Sequence, residues 1–175
     1  FRMFGVEGTS FLHFATSAKM LGSGLDEQLE KFVREHSDTK LIIVDTLQKV
    51  REAVSDSYSY SSDYEVIGKL KQFADRHGVC ILIVHHTRKQ PAGDSFEMIS
   101  GTTGLLGCAD GAFLMQKEKR TDSRATLEVV GRDQPDQRLY LSKDQESLVW
   151  DLDRAENELW KQPPDPVLEL SLIHI

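Results

Sequence analysis

Two runs in which every side chain is apolar, Leu41-Ile42-Ile43-Val44 and Val79-Cys80-Ile81-Leu82-Ile83-Val84, constrain this chain more than anything else in it. Each has the length of a strand. A strand that is apolar on both faces belongs in the middle of a parallel sheet, with helices above and below. The flanking text supplies the helices. Leu25, Leu29, Phe32 and Val33 recur at helical spacing, with Ser23 and Asp26 in capping-box relation, so a helix is predicted to run to about His36. Ser62 and Glu65 form a second capping box, and Val66, Ile67, Leu70, Phe73, Ala74 and His77 mark a stripe closed by Gly78 at the C′ position. Helix, strand, helix, strand in this order predicts right-handed parallel crossovers and an α/β layered fold.

Beyond His86 the pattern changes. Thr87 to Gly107 is long and contains glycines without strong periodicity, and such a loop inside a compact domain is usually functional or mobile. Asp110 to Gln116 reads as a third core strand. Ala125, Leu127 and Val129 then alternate, as do Leu139 with Leu141 and Leu148 with Trp150, with turns at Gly131 to Asp136 and Lys143 to Gln145. That alternation indicates an antiparallel meander with one wet face. A final helix is predicted from Leu152 to Trp160, stopped by Pro163, Pro164 and Pro166, before an apolar tail, Val167 to Ile175, that has no assigned role.

Composition excludes several classes. At 175 residues and 39% hydrophobic content the chain builds one core and is not disordered. With 28 acidic against 21 basic side chains it carries a net charge of -7, so a nucleic-acid partner has to be held by local loops and not by a basic coat. Cys80 and Cys108, the two cysteines, read as core residues, which leaves no disulfide scaffold or cysteine zinc site. A reduced, cytoplasmic protein is expected. No segment approaches the roughly 20 apolar residues of a bilayer span, no signal-peptide pattern opens the chain, and no membrane partner is expected.

Three places carry candidate chemistry. Asp45 ends the first apolar strand at the carboxyl edge of the sheet, where α/β folds bind ligands and where a carboxylate holds Mg2+ beside a nucleotide. It is equally placed to cap the segment beginning at Thr46. His85 and His86 end the second strand on the same edge. Neighbouring strand residues point to opposite faces, so the two rings do not grip one metal ion; either one ring faces the crevice or both are satisfied by the surrounding structure. Gly131-Arg132-Asp133 places a guanidinium at a turn, as a functional cation or an exposed turn arginine. Ser100 to Gly107, with glycines three apart, is no phosphate cradle, because a P-loop needs Gly-x-x-x-x-Gly-Lys before Ser or Thr and no lysine here precedes either residue.

In order, LIIVDTLQKVR, ILIVHHTRK, SGTTGLLGCADGAFLMQ, and VVGRD followed by RLYL resemble the RecA-like core of P-loop ATPases, in particular the plasmid RepA-type hexameric replicative helicases and related AAA-family ATPases. The resemblance covers about Phe11 to Leu152. It implies a RecA-like three-layer core with a mainly parallel sheet, followed by the meander and a C-terminal helix. The division it implies is a partial ATPase core over 1–151 and a helix with an apolar tail over 152–175. By resemblance Asp45 looks like the Walker B carboxylate that holds Mg2+ beside ATP, His86 the sensor of the γ-phosphate, and Arg132 the arginine supplied across a subunit interface. Thr46 and His85 complete the implied nucleotide contacts. Arg88, Lys89, Thr102 and Thr103 in one loop, with Tyr58 and Tyr60 as further candidates in another, are the implied contacts to single-stranded DNA in a ring of identical subunits, by stacking and local cations; the alternative, favoured for the tyrosines, is that these are ordinary solvated loops.

The family's Walker A strand and loop and its catalytic-glutamate strand have no counterpart here. A βαβ unit of that kind takes roughly 30 residues, and the text before Asp45 already holds other elements. The chain therefore looks like the C-terminal part of a longer ATPase, inactive alone. The alternative is an ATPase-like interaction domain that has lost its P-loop.

Overall fold

The computed structural model describes residues 9–51, 60–87, 95–99 and 104–156. They form two compact units that meet in sequence between Ala109 and Asp110.

In the first unit the order is α1 (Leu25–Glu35), β1 (Leu41–Asp45), a short α2 (Leu47–Val50), α3 (Tyr60–His77), β2 (Cys80–Val84) and a short α4 (Gly104–Gly107); α1, β1, α3 and β2 lie within a few residues of their expected bounds, whereas α2 and α4 have no counterpart in the sequence reading. A 3-10 turn, Ser95–Met98, lies in the expected loop region. The helix ends show which local signals decide. Gly78 closes α3 at φ 61, a left-handed conformation that costs glycine little, and the Val79 N–H donates to the Ala74 carbonyl at 3.1 Å. The capping box expected from Ser23 and Asp26 does not form. Gly24, at φ 106, takes the N-cap position of α1 with no side-chain cap bond. Helix α3 starts at Tyr60, two residues before the expected Ser62.

β1 and β2 pair in parallel, in register from Leu41 opposite Cys80 to Asp45 opposite Val84. Ile42, Val44, Ile81 and Ile83 point into two apolar clusters with Leu25 and Val33 of α1, Leu47 and Val50 of α2, and Ile67, Leu70 and Phe73 of α3. The other face differs from expectation. Leu41, Ile43, Leu82 and Val84 are 52, 57, 38 and 36% exposed, and Cys80 lies open beside them. Strands apolar on both faces were expected to be covered twice; among the described residues they are covered once. Period-2 alternation sends every second side chain away from the helices, whatever its hydrophobicity.

Helices α1 and α3 are also tied at the surface through Glu30. Arg76 Nη1 donates to its Oε1 at 2.8 Å, and His77 Nε2 lies 3.0 Å from its Oε2, a close approach more than an aligned hydrogen bond. Contact with His77 is the main cause that holds the Glu30 carboxyl below its usual range, against opposing desolvation, with Arg76 adding to the effect. A carboxyl whose folded pKa is depressed contributes stability that is complete above the unfolded value of 4.5 and fades as pH falls through the lower folded value. Glu30→Gln is therefore expected to flatten the decline of the urea midpoint below about pH 4.5.

The second unit is an antiparallel meander, β3 (Gly111–Gln116), β4 (Arg124–Gly131), β5 (Gln134–Lys143) and β6 (Trp150–Glu156), in sheet order β3-β4-β5-β6. The strand read as a third member of the parallel core, Asp110 to Gln116, is instead the edge of this sheet. The helix expected from Leu152 is strand as far as Glu156, and 157–160 lie outside the described residues, as does the apolar tail. Leu152 and Ala155 have helical spacing, yet an extra residue in β6, Asp153, beside the Tyr140–Leu141 step puts both on one sheet face, where they sit opposite Leu141 and Leu139. Cross-strand pairing with an available edge outweighs the weak helical period.

Candidate functional site

β1 delivers Asp45 to the carboxyl end of the parallel pair. The reading of this residue as a helix cap is not what the structure shows. Thr46, extended at φ -119 and ψ 165, is the N-cap residue of α2, and no side chain caps that helix. Below it Leu47, 1% exposed, and Val50 anchor α2 in the core, and the Leu21 N–H donates to the Val50 carbonyl at 2.7 Å. The rim that carries Asp45 thus rests on a packed floor. The carboxylate itself is exposed and has no hydrogen-bond or ion-pair partner among the described residues.

β2 brings the histidines to the same end. Asp45 is level with Val84, so His85 and His86 follow one and two steps further along the neighbouring strand. Alternation continues through them: His85 is half-buried, with Nδ1 closed off from solvent, and His86 is exposed. Asp45 and His86 therefore share the open side. Strand spacings of about 4.8 Å across and 3.3 Å along put their Cα atoms on the order of 8 Å apart. The segment after His86 is pinned by a bridge between Thr87 and Ile99, which closes the base of the loop holding Arg88 and Lys89. Those two residues, Thr102, Thr103 and Tyr58 all lie outside the described residues; Tyr60 opens α3.

No group of three or more His, Cys, Asp or Glu side chains gathers among the described residues. An all-protein metal cage is therefore not what the rim offers. One unpaired carboxylate at a strand end does fit Mg2+, which keeps several waters and is held by one or two carboxylates together with substrate phosphates.

Arg132 belongs to the other unit, in the turn between β4 and β5. Its N–H donates to the Asp110 carbonyl at 3.0 Å, and its guanidinium lies 3.3 Å from the Asp110 carboxylate. Both side chains are more than half exposed, so this pair is worth about 1 kcal/mol or less and is easily exchanged for another anion. No helix among the described residues is long and apolar enough to cross a membrane.

A family model described as an AAA domain matches residues 6–92, about half of the chain and the whole stretch from α1 to the histidines. The match supports an AAA, P-loop-type ATPase domain, a class that binds nucleotide and typically uses Mg2+. No curated protein matches the chain.

Proposed function

We propose that residues 1–151 are part of a RecA-like, RepA-type ATPase that uses ATP and Mg2+ to act on DNA. The observation that carries this reading is the placement of Asp45 and His86 at one end and on one side of a parallel strand pair inside the matched segment. In this reading Asp45 holds Mg2+ through water, Thr46 and His85 line the nucleotide, and His86 faces its terminal phosphate. Arg132 leaves its weak surface pair with Asp110 to meet the nucleotide of a neighbouring subunit in a ring, where a cation stabilises charge developing in phosphoryl transfer. The bare face of Leu41, Ile43, Leu82 and Val84 is where the third layer of such a core packs. The phosphate cradle that completes the site is not encoded in these 175 residues.

Two outcomes follow. The 175-residue chain alone is expected to hydrolyse ATP no faster than buffer; a magnesium-dependent rate abolished by Asp45→Ala would show that the chain is a complete enzyme and overturn the division of the site. In the ATPase translated from the full reading frame, mixing Arg132→Ala subunits with subunits defective in the P-loop is expected to restore part of the activity at mixed interfaces. Absence of rescue at every mixing ratio would count against a role for Arg132 in trans. The lost-P-loop alternative, an assembly partner without catalysis, predicts no activity in any mixture.

A further inference from the structure

The meander gathers a group of side chains at one end that the ATP site does not use. Antiparallel order puts the end of β3, the start of β4, the end of β5 and the start of β6 side by side. Trp150, half-buried at the start of β6, pairs with Lys143. The ammonium of Lys117 lies 5.6 Å from the Trp150 ring centroid and that of Lys143 lies 5.9 Å from it. Lys117 also donates to the Arg120 carbonyl at 3.0 Å, which fixes it; the Lys143 ammonium has no acceptor among the described residues. Leu148, two residues before the indole, is held at φ 60 and is 53% exposed. A leucine in the left-handed region costs roughly 1 kcal/mol or more, and the turn keeps it there with its apolar side chain in solvent.

The acids nearby are Glu118, Asp122, Asp144, Glu146 and Asp151. Two of these are turned into their own turns. Asp122 accepts the Lys119 N–H at 2.8 Å, and Asp144 accepts those of Glu146 and Ser147 at 3.1 and 2.6 Å. The exposed Arg120 and Arg124 add cations at the same end. A half-buried indole with one anchored and one unpaired ammonium within about 6 Å of its ring, and an exposed leucine two residues before it in sequence, is suited to a stacked base followed by its phosphate.

We propose that this end of the meander binds single-stranded nucleic acid, with a base stacked on Trp150 against Leu148 and the adjoining phosphates taken by Lys143 and Lys117. Lys143 swings off the indole as the base arrives, exchanging a cation–π contact for a phosphate contact. The inference does not rest on the ATP-site reading, because every residue in it belongs to the second unit.

The test uses the 175-residue chain carrying Trp160→Phe, which leaves Trp150 as the single tryptophan. A 12-nucleotide oligothymidylate is expected to quench its fluorescence in low salt, with an affinity that falls as salt rises. Lys117→Gln with Lys143→Gln is expected to weaken binding about tenfold or more and to lower the salt slope by about 0.7 for each phosphate that is no longer neutralised. Lys143→Arg retains binding, and unchanged melting temperatures separate these effects from unfolding. Absence of quenching overturns the proposal. So does binding that is insensitive to the two lysines but abolished in Arg88→Ala with Lys89→Ala, a result that leaves the ATPase reading standing. Equal quenching by a phosphopeptide of matched charge also overturns it, since the site would then read phosphate and not bases.

Discussion

Asp45→Ala, introduced into the ATPase translated from the full reading frame, is expected to lower magnesium-dependent ATP hydrolysis by about 100-fold or more while leaving the fold intact. The size follows from what the carboxylate does in the proposed site. A charged group aimed at the reacting phosphates in a preorganised position contributes on the order of 100- to 1,000-fold. The small structural cost follows from its surroundings: Asp45 is exposed, caps no helix and has no partner among the described residues, so its removal strands no buried group. Steady-state hydrolysis with and without Mg2+, beside a thermal melt, checks both halves. A large fall in melting temperature would mean that Asp45 is structural.

Leu47→Ala is expected to do the opposite, costing about 3 kcal/mol of stability, within the roughly 2 to 5 kcal/mol seen when a buried leucine is cut to alanine. Leu47 is 1% exposed and sits in one cluster with Val44, Val50, Leu21, Leu25, Ile67 and Leu70, so the cavity opens where β1, α2 and α3 meet. It lies two residues from Asp45, and the floor under the rim loosens with it. Urea unfolding measures the loss. A shift of less than about 1 kcal/mol, below the range for a packed leucine, would show that the floor is not packed as described.

These two expectations come from neighbouring residues, and they separate what is visible along a chain from what is not. The two strands were legible because an unbroken apolar run bounded by Asp45 or by paired histidines has few other solutions in an α/β chain. Gly78 was legible because glycine closes a helix at φ 61 more cheaply than any other residue. Which face of β1 and β2 is bare was not legible, since Ile43 is as hydrophobic as Ile42 and only the position of the helices distinguishes them. Ser23 lost its cap to Gly24 because backbone geometry at the entrance to α1 chose the residue that tolerates φ 106.

In the second unit the alternation of β4 and β5 was readable, but Leu152 and Ala155 also fit a helix, and only the bulge at Asp153 in β6 determines that they are strand partners. For the same reason the group of Lys117, Lys143 and Trp150 had no signal along the chain. Its members are separated by 26 and 7 positions, and only register brings them to one end. At the candidate ATP site the situation was more favourable. One carboxylate and one histidine pair each terminate an apolar run, and two parallel strands in register must present their ends together.

The most direct test is to read the DNA in frame immediately upstream of the codon for Phe1. An encoded Gly-x-x-x-x-Gly-Lys followed by Ser or Thr, on a strand leading into a helix, is the predicted result and supplies the phosphate cradle opposite Asp45 and His86. A translation start directly before Phe1, with no such motif, would contradict the account and leave an ATPase-like body without its nucleotide site.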